Sequence, residues 1–155
     1  MQEPKQPRSR PARAIIAVAW LMFFTSFFLP ATNVLEAAGT APGTPLTGWQ
    51  AFSATVLALH PLAVLAEPKI LLFLAAPVIN LAMIIVPLAS LVAARAGLRA
   101  GPLLVPLAIV PFGFPDKALG DLYSGFYTWV ASIALMAAGC IWLGLSDELR
   151  GYDRY

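Results

Sequence analysis

Ile70–Ala94, ILLFLAAPVINLAMIIVPLASLVAA, is the stretch that decides how this chain is read. It carries no charge, and Lys69 and Arg95 bracket it. A bilayer's hydrocarbon core takes about 20 apolar residues in helical form, so the stretch reads as a membrane-spanning helix. A soluble helix that is apolar on every face needs a large domain to cover it. A chain of 155 residues does not supply one.

Composition agrees. The chain is 59% hydrophobic and 12% charged, with a mean hydropathy of +0.77. Soluble domains carry roughly 25% charged residues, so these values predict an integral membrane protein with short loops. The formal net charge of +2 is too small to predict a nucleic-acid partner. The single cysteine, Cys140, excludes an intramolecular disulfide and a multi-cysteine metal site. Only one histidine, His60, is present, and no motif predicts a catalytic centre, a metal or a cofactor.

Working outward from Ile70–Ala94, three further apolar runs stand out. Ala14–Leu29, AIIAVAWLMFFTSFFL, follows a basic, proline-broken segment. That order also fits a cleaved signal peptide, with Ala37-Ala38-Gly39 as the small-residue site. Pro102–Phe114 is a weaker span. Pro106 and Pro111 each remove a backbone hydrogen bond, so it is expected to be kinked inside protein or to re-enter as a hairpin. The last run, GFYTWVASIALMAAGCIWLGL at 125–145, opens on an aromatic cluster. Pro30–Thr47 reads as a loop, and Pro115–Asp121 as a short turn. Gly48–Ala66 is ambiguous, because Gln50, Ser53, Thr55 and His60-Pro61 interrupt it.

Charge distribution separates the alternatives. With spans at 14–30, 70–94, 102–114 and 125–145, eight of ten Lys and Arg fall on the side of both termini, leaving Lys69 and Lys117 opposite. That is a positive-inside pattern. A fifth crossing at 48–66 gives six against four. Letting 48–66 cross in place of 102–114 gives seven against three. The sequence therefore predicts an all-α, polytopic membrane helix bundle with four transmembrane helices, and 48–66 as an interfacial or re-entrant helix. Residues 1–13 form a disordered basic cytoplasmic tail, 14–145 the transmembrane domain and 146–155 a polar cytoplasmic tail. The location expected is the inner membrane, with both termini cytoplasmic.

Few residues invite chemistry. Asn80 is a strongly polar side chain near the middle of its span. An amide in hydrocarbon needs partners, so it is expected to face the bundle, with Thr128 or Ser132 as its partner. Those two belong to a stripe of Ser124, Thr128, Ser132, Met136 and Cys140 at fourfold spacing. Ala131, Ala134 and Ala138 form a small-residue face suited to close helix approach. Gly97 and Gly101 have GxxxG spacing but fall in what reads as a basic loop. Trp49, Tyr123, Tyr127, Trp129 and Trp142 are expected to anchor the chain at the membrane–water interfaces. Glu36, His60 and Glu67 are the one acid–base set, and a poor one for zinc, which takes three or four protein ligands. Cys140, far from any cation in sequence, reads as an inert buried thiol.

Phe28-Leu29-Pro30, then GWQAF at Gly48–Phe52, then GFYTWVAS at Gly125–Ser132 form a pattern. In it the chain resembles small multi-pass bacterial membrane proteins of no assigned function. That resemblance covers most of the chain. It implies the multi-span architecture and no activity. The expectation is a non-enzymatic accessory or structural subunit in the lipid bilayer, partnered by a membrane protein. The alternative is a homo-oligomeric small-molecule binder or transporter component. A membrane enzyme built on Glu36, His60 and Glu67 comes third.

Overall fold

The computed structural model describes residues 9–32, 44–58, 75–113 and 121–152. Among them are five helices. They are α1 (Ser9–Ser26), α2 (Gly48–Ala58), α3 (Ala75–Val92), α4 (Ala94–Ile109) and α5 (Ser124–Tyr152). A 3-10 turn, Val110–Gly113, continues α4. Between α1 and α2 a short antiparallel pair joins β1 (Pro30–Thr32) to β2 (Leu46–Thr47). The expected helical bundle is therefore present, with this small ladder added. Two helices are long and apolar enough to cross a membrane: α3, and α5 over Ser124–Asp147.

Several boundaries differ from the sequence reading, each for a physical reason. α1 begins at Ser9 instead of Ala14, because Ala12 is fully buried and docks the first turns. α5 runs to Tyr152, so most of the expected polar tail is helix. The expected basic loop at 95–101 is the first half of α4. Arg95 and Arg99 lie on its exposed side, while Gly97, Gly101 and Leu104 are buried. That is the spacing of one helical face, so two arginines are compatible with an amphipathic helix. Pro102 and Pro106 sit four apart on the exposed side, where their missing N–H groups leave the packed face undisturbed. Only Ala93 separates α3 from α4, and it is extended (φ −134°, ψ 96°).

α5 serves as a ruler for the bundle. Its Gly125 abuts Leu29 and Pro30, beyond the end of α1, while Gly139 abuts Ile15 and Ile16 near the start of α1. α1 is thus antiparallel to α5. Phe126 packs on Phe112, and Gly144 on Leu98, so α4 is antiparallel as well. Trp129 meets Asn80, and Cys140 lies against Ser90, so α3 is parallel to α5. Arg10, Arg13, Arg95 and Arg99 consequently share one end, the arginine end, with Trp142 near it. Trp49, Tyr123 and Tyr127 share the other, the aromatic end. α1 finishes and α3 starts at the aromatic end.

The core is a set of single stripes. α1 contributes Ala12, Ile16, Ala19 and Phe23; α3 contributes Ile79, Met83, Pro87 and Ser90. The rest of α3 is largely uncovered. Val78, Leu81, Ile84, Ile85, Leu88, Leu91 and Val92 are all exposed. A continuous apolar face of this kind belongs against lipid or protein, since soluble monomers rarely expose more than a few hundred Å² of it.

Candidate functional site

The polar residue singled out by the sequence, Asn80, does meet a partner across the bundle. The partner is Trp129, whose Nε1 donates to Asn80 Oδ1 at 2.9 Å. Neither Thr128 nor Ser132 fills that role. Ser132 is buried and donates to the Trp129 carbonyl at 2.6 Å, one turn back on its own helix, and Thr128 is half-buried. Trp129, expected as an interface anchor, is a half-buried interhelical donor. Asn80 lies level with Trp129, one and a half turns into α5, and therefore near the aromatic end instead of at mid-depth.

A second indole bond was not anticipated. Trp20 Nε1 of α1 donates to the backbone carbonyl of Met83 at 2.9 Å. In an unbroken helix that carbonyl would accept from the N–H four residues on. Residue 87 is proline and has no N–H. Trp20 therefore supplies, from a neighbouring helix, the hydrogen bond that Pro87 leaves unmade. A proline with a tryptophan on a preceding apolar run was the available signal.

Two more buried hydroxyls bond back to their own helices. Ser90 donates to the Val86 carbonyl at 2.7 Å and Ser26 to that of Phe23 at 2.6 Å. Among the described residues, no buried side-chain nitrogen or oxygen lacks a partner. Cys140 is a buried free thiol.

At the aromatic end the three quoted motifs converge. The Gly48 amide donates to the Leu29 carbonyl at 3.0 Å and the Trp49 amide to that of Phe27 at 2.9 Å. The Tyr123 amide donates to the Ala31 carbonyl at 3.0 Å, and Thr32 bridges Leu122. A side chain on Gly125 would approach the Pro30 carbonyl oxygen to 2.7 Å, and one on Gly48 would collide with the Ser26 carbonyl. Glycine is required at both for close approach. Thr47 and Gln50 form a capping box: the Gln50 amide donates to Thr47 Oγ1 at 3.3 Å, and the Thr47 amide donates to Gln50 Oε1 at 2.9 Å. Gln50, which made 48–66 ambiguous, is spent on starting α2. The expected loop at Pro30–Thr47 is thus partly a packed collar, with Leu46 and Ala31 buried in it.

Beside this collar lies an open cleft of about 470 Å³ between α1, α2 and α3. Phe23, Phe24, Phe27, Phe28, Trp49 and Phe52 wall it. Asn80 and Leu81 of α3 line the opposite side. The rings of Phe23 and Phe27 meet edge to face at 5.2 Å, and those of Phe27 and Phe52 at 6.1 Å.

Of the remaining expectations, Ala131, Ala134 and Ala138 point outward and do not form the packed face. That role falls to glycines. A side chain on Gly97 would collide with the Cys140 carbonyl, one on Gly101 would reach Ile141 Cγ1 at 3.0 Å, and one on Gly139 would reach Ile16 at 2.8 Å. The GxxxG pair is therefore a real helix contact, against the sequence reading. Trp49, Tyr127 and Trp142 are exposed and Tyr123 is half-buried. Glu36, the 37–39 segment, His60, Glu67, Lys69, Asp116 and Lys117 lie outside the described residues. No group of three or more His, Cys, Asp or Glu that could hold a metal occurs among the described residues. No protein family, curated protein or solved structure matches the chain.

Proposed function

We propose that this protein is a four-span integral membrane protein and a non-enzymatic accessory subunit, docked by its helix faces against another membrane protein. The observation that carries this reading is how completely the interior polar groups are used. Asn80 Oδ1 is taken by Trp129, the Met83 carbonyl by Trp20, and Ser26, Ser90 and Ser132 by their own helices. A transport path needs hydrogen-bonding groups left open along the bundle axis, and the described core offers Ile79, Met83, Ile133 and Met136 there instead.

Four crossings are supported by the alternation of α1, α3, α4 and α5 along one axis. Both α1 and α4 are short for the task. At about 1.5 Å per residue, α4 reaches roughly 24 Å against a hydrocarbon core near 30 Å, and the 3-10 turn extends it. The arginines gathered at one end match a cytoplasmic face. With α1 finishing and α3 starting at the same end, we read 48–66 as the interfacial or re-entrant segment.

The test is purification of the native protein in mild detergent, with mass spectrometry of what accompanies it. A second membrane protein at fixed stoichiometry is the expected result. A homo-oligomer carrying a specific small molecule would overturn the accessory reading in favour of a binder or transporter component. Reporter fusions at Arg10 and Tyr155 should both report cytoplasm; opposite locations would remove the four-span topology.

A further inference from the structure

The arginine end gathers four exposed guanidinium groups, and among the described residues no carboxylate pairs with any of them. Arg10 and Arg13 stand three apart on α1, and Arg95 and Arg99 four apart on α4, so each pair shares one helix face. Like charges at this spacing repel, and neither helix has an acidic residue in its first turn. The start of a helix is also its positive pole, where the macrodipole disfavours a further cation. Beyond Trp142, α5 adds Asp147, Glu148 and Arg150, so this end stays positive. The chain thus concentrates cations where its own helices favour them least, an arrangement that an external anion would relieve.

Level selects the kind of anion. On α5, Gly139 meets Ile15 and Ile16 of α1, and Gly144 meets Ala94 and Leu98 of α4. Trp142, exposed, lies between those glycines in the chain. At about 1.5 Å per residue, all four arginines stand within roughly one turn of the Trp142 level. Trp142 is in turn about 27 Å along α5 from its start at Ser124, close to the thickness of a hydrocarbon core of about 30 Å. With the aromatic end at one boundary of a bilayer, the arginines fall at the other, where headgroup phosphates lie. Guanidinium groups match phosphate oxygens in a bidentate fork. We propose that the arginine end docks on anionic phospholipid, with Arg10 and Arg13 on α1 and Arg95 and Arg99 on α4 holding headgroup phosphates at the level of Trp142. The proposal rests on the membrane-spanning reading, which resistance to alkaline carbonate extraction tests separately.

The experiment uses the full chain in nanodiscs of equal parts dioleoylphosphatidylglycerol and dioleoylphosphatidylcholine. Both leaflets are then alike, so the orientation of the chain does not enter. Native mass spectrometry counts the lipids of each kind that stay bound on activation. Phosphatidylglycerol should be enriched over phosphatidylcholine by about tenfold or more. Arg99→Gln should lower that enrichment about fivefold, the scale of one basic residue at an anionic surface. Replacing all four arginines by glutamine should abolish it. Arg95→Lys with Arg99→Lys keeps the charge and should keep most of the preference. Equal retention of the two lipids by the native chain would overturn the proposal and leave the arginines to an acidic protein segment. Enrichment untouched by the quadruple glutamine change would overturn it too. So would a loss in the lysine variant as large as in Arg95→Gln with Arg99→Gln, because charge would not then be the cause.

Discussion

The two ends of this bundle are held by different physics. At the aromatic end, three chain segments exchange backbone hydrogen bonds: Phe27 and Leu29 with Trp49 and Gly48, and Ala31 with Tyr123. At the arginine end, α1 and α4 close on α5 through glycine, with Gly97, Gly101, Gly139 and Gly144 against backbone or aliphatic neighbours. The collar is directional, built from backbone hydrogen bonds. The seam is steric, built where glycine lets helix backbones approach closely. A small residue therefore counts for more at the seam than a polar one.

The largest effect should come from the seam. Gly97→Val places its side chain against the fixed backbone of Cys140, which has no flexible end to yield, and should destabilise the fold by about 3 kcal/mol. Thermal unfolding in detergent, followed by circular dichroism, measures it. An unchanged midpoint would break the contrast, because the helices would not then be as close as described.

Next is the bond between the regions. Trp20→Phe strips the Met83 carbonyl of its donor and should cost about 2 kcal/mol. Pro87→Ala restores an N–H at the position that carbonyl expects. In that background the same Trp20 change should cost about 1 kcal/mol less, and a double-mutant cycle reads the coupling directly. Additive effects would mean that the carbonyl is satisfied in some other way.

At the collar, Thr47→Ala removes one half of the capping box and should cost about 1 kcal/mol, confined to α2. Hydrogen exchange should show faster amides at Trp49 and Gln50 with α5 unaffected. Loss of protection throughout would mean that the collar carries global stability. Smallest of all, Trp142→Phe alters an exposed ring and should stay within about 0.5 kcal/mol. A larger loss would place Trp142 in a contact instead of at an interface.

What the sequence made legible follows the same division. The apolar length of 70–94 predicted a long apolar helix, and Ala75–Val92 is long and apolar enough to cross a membrane, because length and charge are local properties. The collar was visible only as recurring strings: Gly48 and Gly125 stood out, while their reason, a carbonyl of a distant segment, did not. The seam was misjudged. Arg95 and Arg99 disguised a helix as a loop, although their spacing places both opposite Gly97 and Gly101. Ala131, Ala134 and Ala138 suggested a packing face because alanine is small, yet the packed face carries Gly139, where even a methyl group is too much. Asn80 was rightly expected to bond across the bundle. Its partner was misassigned because Trp129 reads as a belt residue, and an indole at the boundary can serve both water and a neighbouring helix.

The pairing of Trp20 with the Met83 carbonyl has a consequence in time. A ribosome releases α1 well before α3, so the donor is in place before Pro87 emerges. α3 on its own would form with one carbonyl bare, and α1, already made, closes that gap. The order of helices along the gene is thus also an order of completion. A permuted chain that began at α3 would have to hold an unfinished helix until α1 followed.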